Sequence, residues 1–151
     1  MKISLISIGA KRGRGKREGE DLSADRYLDR AERFASTEGL WVETEAAFWT
    51  AVESAAGRSA ARSILMDSGG RLLTSEDFAG AIGDFRDRGV QQIVVGIGGA
   101  DGWTAEAKKR ADLLVSMGRL TLPHGLARVV AAEQIYRAMT ILAGHPYHCG
   151  H

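Results

Sequence analysis

The stretch of this chain best suited to hold a small molecule is Val94-Val95-Gly96-Ile97-Gly98-Gly99-Ala100-Asp101-Gly102. From Gly96 to Gly102, four of seven positions are glycine. Glycine has no Cβ, so it admits positive φ and lets a ligand approach the main chain closely. Val94, Val95 and Ile97 read as a buried strand of continuous apolar type, as in parallel sheets covered on both faces. The carboxyl end of such a strand is where α/β sheets place small-molecule sites. A tight turn that simply needs glycine explains the same residues. A dinucleotide fingerprint does not: Gly96-x-Gly98-x-x calls for glycine at position 101, where Asp101 stands.

Other chemically capable residues are less organised. Asp101, Glu106 and Glu133 are the carboxylates nearest the loops, but no spacing pairs them as an acid–base couple, and Glu133 has Arg128 and Arg137 as ready partners on one helix. His124, just past a proline at a helix start, reads as a structural hydrogen-bonder. His145, His148, Cys149 and His151 are of the right types for zinc, yet the cluster is terminal and has no second ligand group. There is no Gly-x-Ser-x-Gly elbow. Five of the seven residues from Lys11 to Arg17 are basic: Lys11, Arg12, Arg14, Lys16 and Arg17. They suit contact with phosphates, and a solvated loop explains them equally. They are not a P-loop, because Arg17 stands where a magnesium-holding Ser or Thr is required.

The elements that must position these residues follow from periodicity. At 151 residues the chain suits one domain with a proper core. Its 44% hydrophobic and 26% charged fractions are those of an ordinary globule. A net charge of +1 gives no overall attraction for polyanions, so nucleic-acid contact must come from local patches. The single cysteine, Cys149, excludes an intrachain disulfide and fits a reducing compartment. No apolar run approaches the roughly 20 residues that span a bilayer, and a cytoplasmic protein is expected.

Strands are expected at Lys2–Ile8, Leu40–Thr44, Ser63–Met66, Gln92–Ile97 and Leu113–Met117. Asp67-Ser68-Gly69-Gly70 reads as a turn. Helices are expected from Asp21 or Ser23 to about Ala35, over Ala46–Ala56, from Ser75 to before Gly89, from Thr104 to near Ala111, and from Gly125 to about Leu142. The last is apolar on more than one side, so it is buried on two sides, and a second subunit is one candidate partner. Alternation of strand and helix gives an α/β fold with a mainly parallel sheet.

Four segments together resemble one family. They are Ile97-Gly98-Gly99-Ala100-Asp101-Gly102, Leu120-Thr121-Leu122-Pro123-His124, Arg128-Val129-Val130-x-x-Glu133-Gln134-x-Tyr136-Arg137-Ala138, and the closing His145-Pro146-Tyr147-His148. Their order and spacing are similar to the ribosomal RNA large-subunit methyltransferase H family, a small branch of the SPOUT methyltransferases. The resemblance is strong from about Gln92 to His148 and collinear before that. It implies a single SPOUT domain over residues 1–151, with a C-terminal segment threaded as a trefoil knot. It implies a homodimer with the site at the subunit interface. It implies S-adenosylmethionine bound at Met66, Gly98, Gly99, Gly118, Arg119, Leu120, Thr121, Leu122 and Pro123, and no metal. The implied reaction is methylation of N3 of a pseudouridine in 23S rRNA on the ribosome. His148 is the candidate proton acceptor, with Tyr147 and Arg128 positioning the base or phosphate. A catalytically silent ribosome-binding factor and a SPOUT enzyme acting on tRNA remain as alternatives. Where the family usually ends on a basic residue after His148, this chain has Cys149-Gly150-His151. Residues 36–60 form a shorter region than is usual for it.

Overall fold

Ten elements alternate among the described residues: Lys2–Ile8 (β1), Gly19–Ala31 (α1), Ser36–Val42 (β2), Glu45–Ser54 (α2), Arg62–Leu72 (β3), Ser75–Asp87 (α3), Gln92–Ile97 (β4), Ala105–Arg110 (α4), Leu113–Ser116 (β5) and His124–Leu142 (α5). The computed structural model describes residues 1–9 and 19–149. The basic stretch Lys11–Arg17 and His151 lie outside the described residues.

The five strands form one parallel sheet in the order β2-β1-β4-β3-β5. Strand side chains alternate between its faces. Ile3, Leu5, Ile64, Ile93 and Val95 pack against α1, α3 and α5. Ile6, Leu65 and Val94 pack against α2 and α4. Both faces are therefore covered, which is why β4 reads as an unbroken apolar run. Helix starts follow their caps: the Thr74 hydroxyl and the Asp77 carboxylate form a reciprocal capping box on α3, and Thr104 accepts from the Ala107 N–H on α4.

Several boundaries differ from expectation. The first helix stops at Ala31 and the second strand begins at Ser36, four residues before Leu40. The chain turns at once, with the Phe34 and Ala35 N–H groups both donating to the Ala31 carbonyl. The polar start of β2 then finds specific partners: the Thr37 hydroxyl donates to the Leu28 carbonyl at 2.7 Å, and Glu38 takes both the Lys2 ammonium and the Ser4 hydroxyl at 2.8 Å. Those partners are non-local, so a polar edge strand leaves little local signal.

The third strand also outlasts its expected end at Met66. Asp67-Ser68-Gly69-Gly70, expected as a turn, lies within the strand instead, as an irregularity in its register: Met66 and Arg71 both stand opposite Val115. The extra residues form an excursion on the edge of β3. Gly70 closes it against β5, where an added Cβ would lie 2.6 Å from the Val115 nitrogen.

The two-sided apolar character of α5 is met within the chain. The helix lies on the sheet between α1 and α3, and Ala131, Ala132, Ile135, Ala138 and Met139 join one core cluster with both. Among the described residues, no helix is long and apolar enough to cross a membrane.

The excursion gives a first test. Gly70→Ala forces main chain against main chain, where no side chain can yield, and is expected to destabilise the fold by about 1–3 kcal/mol. An unchanged urea midpoint would contradict this placement of the excursion.

Candidate active site

The carboxyl ends of β3, β4 and β5 surround a cavity of about 400 Å³, within the range typical of small-molecule sites. One wall is Met66 with the excursion at Asp67 and Ser68, a second is the glycine loop from Gly98 to Gly102, and a third is Gly118 to Leu122. His124 and Ala127, in the first turn of α5, close it. The cofactor positions implied by the resemblance thus come together: Met66, Gly98, Gly99, Gly118, Arg119, Leu120, Thr121 and Leu122 all line this space. Pro123 is not among the lining residues; it stands as the N-cap of α5 and ends the third wall. Gly102 and Gly118 have φ of 71° and 118°, the region glycine alone enters freely.

The glycine loop is shaped from beneath by Trp103, which sequence reasoning passed over. The indole is 6% exposed, and its N–H donates to the Met66 carbonyl at 3.0 Å. Its ring packs edge-on to Phe48, with centroids 4.8 Å apart. A Cβ on Gly96 would lie 2.8 Å from both rings, and one on Gly98 would lie 3.1 Å from the indole nitrogen. Glu45, also unsuspected, fixes the far end of the loop: its two carboxylate oxygens accept from the Thr104 N–H at 3.0 Å and the Thr104 hydroxyl at 2.7 Å. Asp67 meets Lys108 at 3.3 Å and accepts from the Gly69 N–H. On the third wall, the Ser116 hydroxyl donates to the Gly118 carbonyl and accepts from the Gly118 N–H. The only local hint of the Trp103 role is an aromatic residue directly after the glycine run.

His124 lies over Trp41, with ring centroids 5.4 Å apart. Its Nε2 is buried and has no hydrogen-bond partner among the described residues. An orphaned buried nitrogen at a cavity wall is the kind of group that a bound ligand satisfies.

Tyr147 and His148 stay together but do not line the cavity. The tail folds onto α5 and the start of α3. The Tyr147 hydroxyl donates to Glu133 at 2.9 Å, and the same carboxylate oxygen takes Arg137 at 2.6 Å. The His148 ring bridges Arg137, 3.0 Å from Nδ1, and Glu76, 2.8 Å from Nε2. Arg137 can only donate, so Nδ1 accepts and Nε2 carries the proton toward Glu76. That hydrogen bond holds the exposed Glu76 carboxyl below its ordinary range. Burial, together with the Glu133 carboxylate, pushes the Tyr147 phenol up to about 12. The Tyr147 hydroxyl therefore stays protonated in the neutral range, where it donates to Glu133. His145 packs edge-on to Phe34 and accepts from the Tyr147 N–H, while Cys149 is exposed. Among the described residues, no group of three His, Cys, Asp or Glu side chains could hold a metal ion.

Arg128 is not brought to this pair. It is 2% exposed and ties three elements together. One guanidinium nitrogen donates to the Ser7 hydroxyl at 2.6 Å and to the Leu40 carbonyl at 3.2 Å, and the group lies over the Trp41 ring.

A family model described as predicted SPOUT methyltransferase matches residues 1–148. A Koribacter versatilis protein named ribosomal RNA large subunit methyltransferase H is 43% identical over 151 residues, covering 100% of both chains. The SpoU methyltransferase AviRb from Streptomyces viridochromogenes, solved in complex with AdoMet, aligns with a TM-score of 0.51 at 12% identity, over 96% of this chain and 58% of that one. A TrmH/SpoU tRNA modifying enzyme of A. aeolicus aligns with a TM-score of 0.52 at 12% identity, over 95% of this chain and 77% of its own. At such identities the two solved structures establish a shared fold.

Two outcomes follow from this geometry. Trp103→Phe keeps an aromatic ring but loses the pyrrole half of the indole with its N–H, so the Met66 carbonyl loses this partner and the space under the loop is underfilled, and it is expected to lower stability by about 1–3 kcal/mol; an unaltered unfolding midpoint would show that the indole holds nothing. For Tyr147, the folded pKa lies above the ordinary 10. Its contribution to stability is full below pH 10 and is lost as pH rises toward 12. Stability should thus fall more steeply over that window in the unmodified protein than in Tyr147→Phe, and equal slopes would disprove the assignment.

Proposed function

This chain belongs to the SPOUT methyltransferase family, and on that premise we propose that it uses S-adenosylmethionine to methylate N3 of a pseudouridine in 23S rRNA on the assembled ribosome. The observation that carries the reading is the cavity: eight of the nine positions implied for the cofactor converge on one space at the carboxyl ends of three parallel strands. The relative from Koribacter versatilis, similar along its whole length, is named a ribosomal RNA large subunit methyltransferase, which supports an rRNA substrate.

The residues present fit the cofactor. Gly98, Gly99 and Gly118 offer main chain without intervening side chains, Met66 offers an apolar side chain, and His124 Nε2 offers an unsatisfied polar atom. When bound, S-adenosylmethionine supplies a methyl group activated by a sulfonium. The work left to the chain is to position, to exclude water and to take a proton. Leu120, Thr121 and Leu122 line the cavity on its third wall. His148 accepts the N3 proton at Nδ1, which requires it to release Arg137. Tyr147, protonated throughout the neutral range, orients the base as a donor. Arg128 keeps the ends of β1 and β2 in register with α5, so its influence on the reaction is indirect.

The reading includes a homodimer. Ala127 lines the cavity, whereas Glu133 and Arg137 hold the tail. At 1.5 Å per residue, these points on α5 are roughly 9–15 Å apart along the helix. A site made of both is completed by the tail of a second copy. Leu22 on α1 and Leu126 on α5, 46% and 40% exposed, supply apolar surface for that contact. The trefoil-knotted C-terminal segment and a cytoplasmic location belong to the same reading.

Labelled methyl transfer from S-adenosylmethionine to assembled ribosomes, free 23S rRNA and tRNA tests it, using substrates from cells that lack the modification. Label at a pseudouridine N3 on ribosomes is expected, with a loss of about 100-fold or more in His148→Ala and cofactor affinity retained. Label on tRNA alone would assign another substrate. Cofactor binding without transfer to any RNA would favour a silent ribosome-binding factor.

A further inference from the structure

The tail that carries Tyr147 and His148 is flanked by a cation which the reaction scheme above leaves unused. Helices α1 and α5 run side by side in the same direction: Gly125 lies against the Glu20 carboxylate, and Tyr27 and Arg30 lie against Tyr136. The Arg30 guanidinium sits 4.4 Å from the Tyr136 ring centroid, 5.3 Å from that of Tyr147 and 5.8 Å from that of Tyr27. It donates one hydrogen bond, to the Tyr136 hydroxyl at 3.2 Å. Yet the residue is exposed. Among the described residues it has no carboxylate partner.

Its neighbour across the Tyr147 ring differs. Arg137 lies 4.8 Å from that centroid and is neutralised by Glu133. The uncompensated positive charge of the aromatic cluster therefore rests on Arg30. Rings fix a guanidinium in place without cancelling its charge. They leave its remaining N–H groups as a planar fork suited to a phosphate.

Arg30 is not isolated. Arg26 lies one turn earlier on α1, and Arg33 follows in the turn after the helix; both are exposed and neither is ion-paired among the described residues. Asp25 and Asp29 each precede an arginine by one residue, which rotates them by about 100° onto another row of the helix. The arginines so form a separate basic strip on a chain whose net charge is only +1.

We propose that Arg26, Arg30 and Arg33 are a phosphate-contact strip for the RNA strand, in which Arg30 seats the backbone beside Tyr147 and His148. The strip is argued from charge complementarity and from its continuity with the tail, and it rests on the RNA-substrate reading above. A neutral or basic partner gains nothing from it.

The test is equilibrium binding of ribosomes and of a 23S rRNA fragment across a potassium chloride series. It uses the full chain, Arg30→Gln, Arg30→Lys and the double variant Arg26→Gln/Arg33→Gln. S-adenosylmethionine affinity and thermal midpoint are measured alongside. Arg30→Gln is expected to weaken RNA binding about ten-fold at low salt and to flatten the log–log salt slope by about one. The double variant should flatten it further without touching the tyrosine rings, and Arg30→Lys should restore the slope. Cofactor affinity should not move. Unchanged salt slopes in Arg30→Gln and the double variant would overturn the proposal. So would a lowered thermal midpoint with an intact slope, since Arg30 would then be only a pin for the tail. Failure of the unmodified protein to methylate any RNA while these slopes still change would count against the substrate reading and leave the strip standing.

Discussion

The site depends on an indole filling space that two glycines leave empty. Trp103 lies beneath Gly96 and Gly98 and reaches across to the Met66 carbonyl, so the end of β4 and the end of β3 are held by one side chain. A turn that needs glycine and a ligand site that needs glycine are therefore not rival accounts of this loop. Gly96 is required by what lies below it, where a Cβ would collide with Phe48 and Trp103. Gly102 is required by its own backbone, at φ 71°. Gly99 is required by neither: a Cβ there would meet Ile8 at 3.5 Å, an ordinary contact, and its φ is not positive. It faces the cavity, and a close approach of ligand to main chain is the remaining physical reason for the absent side chain.

Arg128 illustrates the opposite case, a residue whose charge suggests chemistry but whose position serves the fold. Burying a guanidinium is costly unless its donors are used. Here Ser7 from β1, the Leu40 carbonyl from β2 and the Trp41 ring share that work. The arrangement also explains Gly39 on β2, where a Cβ would come within 2.6 Å of a guanidinium nitrogen. Ser7, fully buried between Ile6 and Ile8, is the counterpart that the one-dimensional pattern conceals.

What could be read from the sequence was local. The uninterrupted β4 run, the Thr104 cap and the long apolar helix each carry their cause within a few residues, and each falls where periodicity placed it. The convergence of residues near 66, 98 and 118 on one cavity came through the resemblance, because only topology brings three distant strand ends together. What stayed hidden was held by distant partners. The start of β2 depends on Lys2 and Ser4 for Glu38. The continuation of β3 past Met66 to Leu72 depends on β5, which follows it by some forty residues. Trp103 and Glu45 act on the loop through contacts with Met66 and Thr104 that no spacing rule encodes.

The same helix organises the cavity and the tail, and the two are held by different forces. Toward the sheet, α5 is packed by alanines and branched residues at densities that allow little movement. Toward solvent, the tail is held by polar contacts in series: Ser75 donates to Gln134, Gln134 donates to Glu133, and Tyr147 and Arg137 both donate to that carboxylate. Each such bond contributes about 1 kcal/mol net, because water competes for the same groups. The ring contact between Tyr147 and Tyr136, at 4.6 Å, adds a modest apolar term. A terminal segment tied down in this way exchanges its partners at far lower cost than a core helix does. The cavity can thus stay rigid while the tail, to which the proposed reaction assigns the proton transfer, remains able to exchange its partners, and the boundary between the two runs along α5 itself.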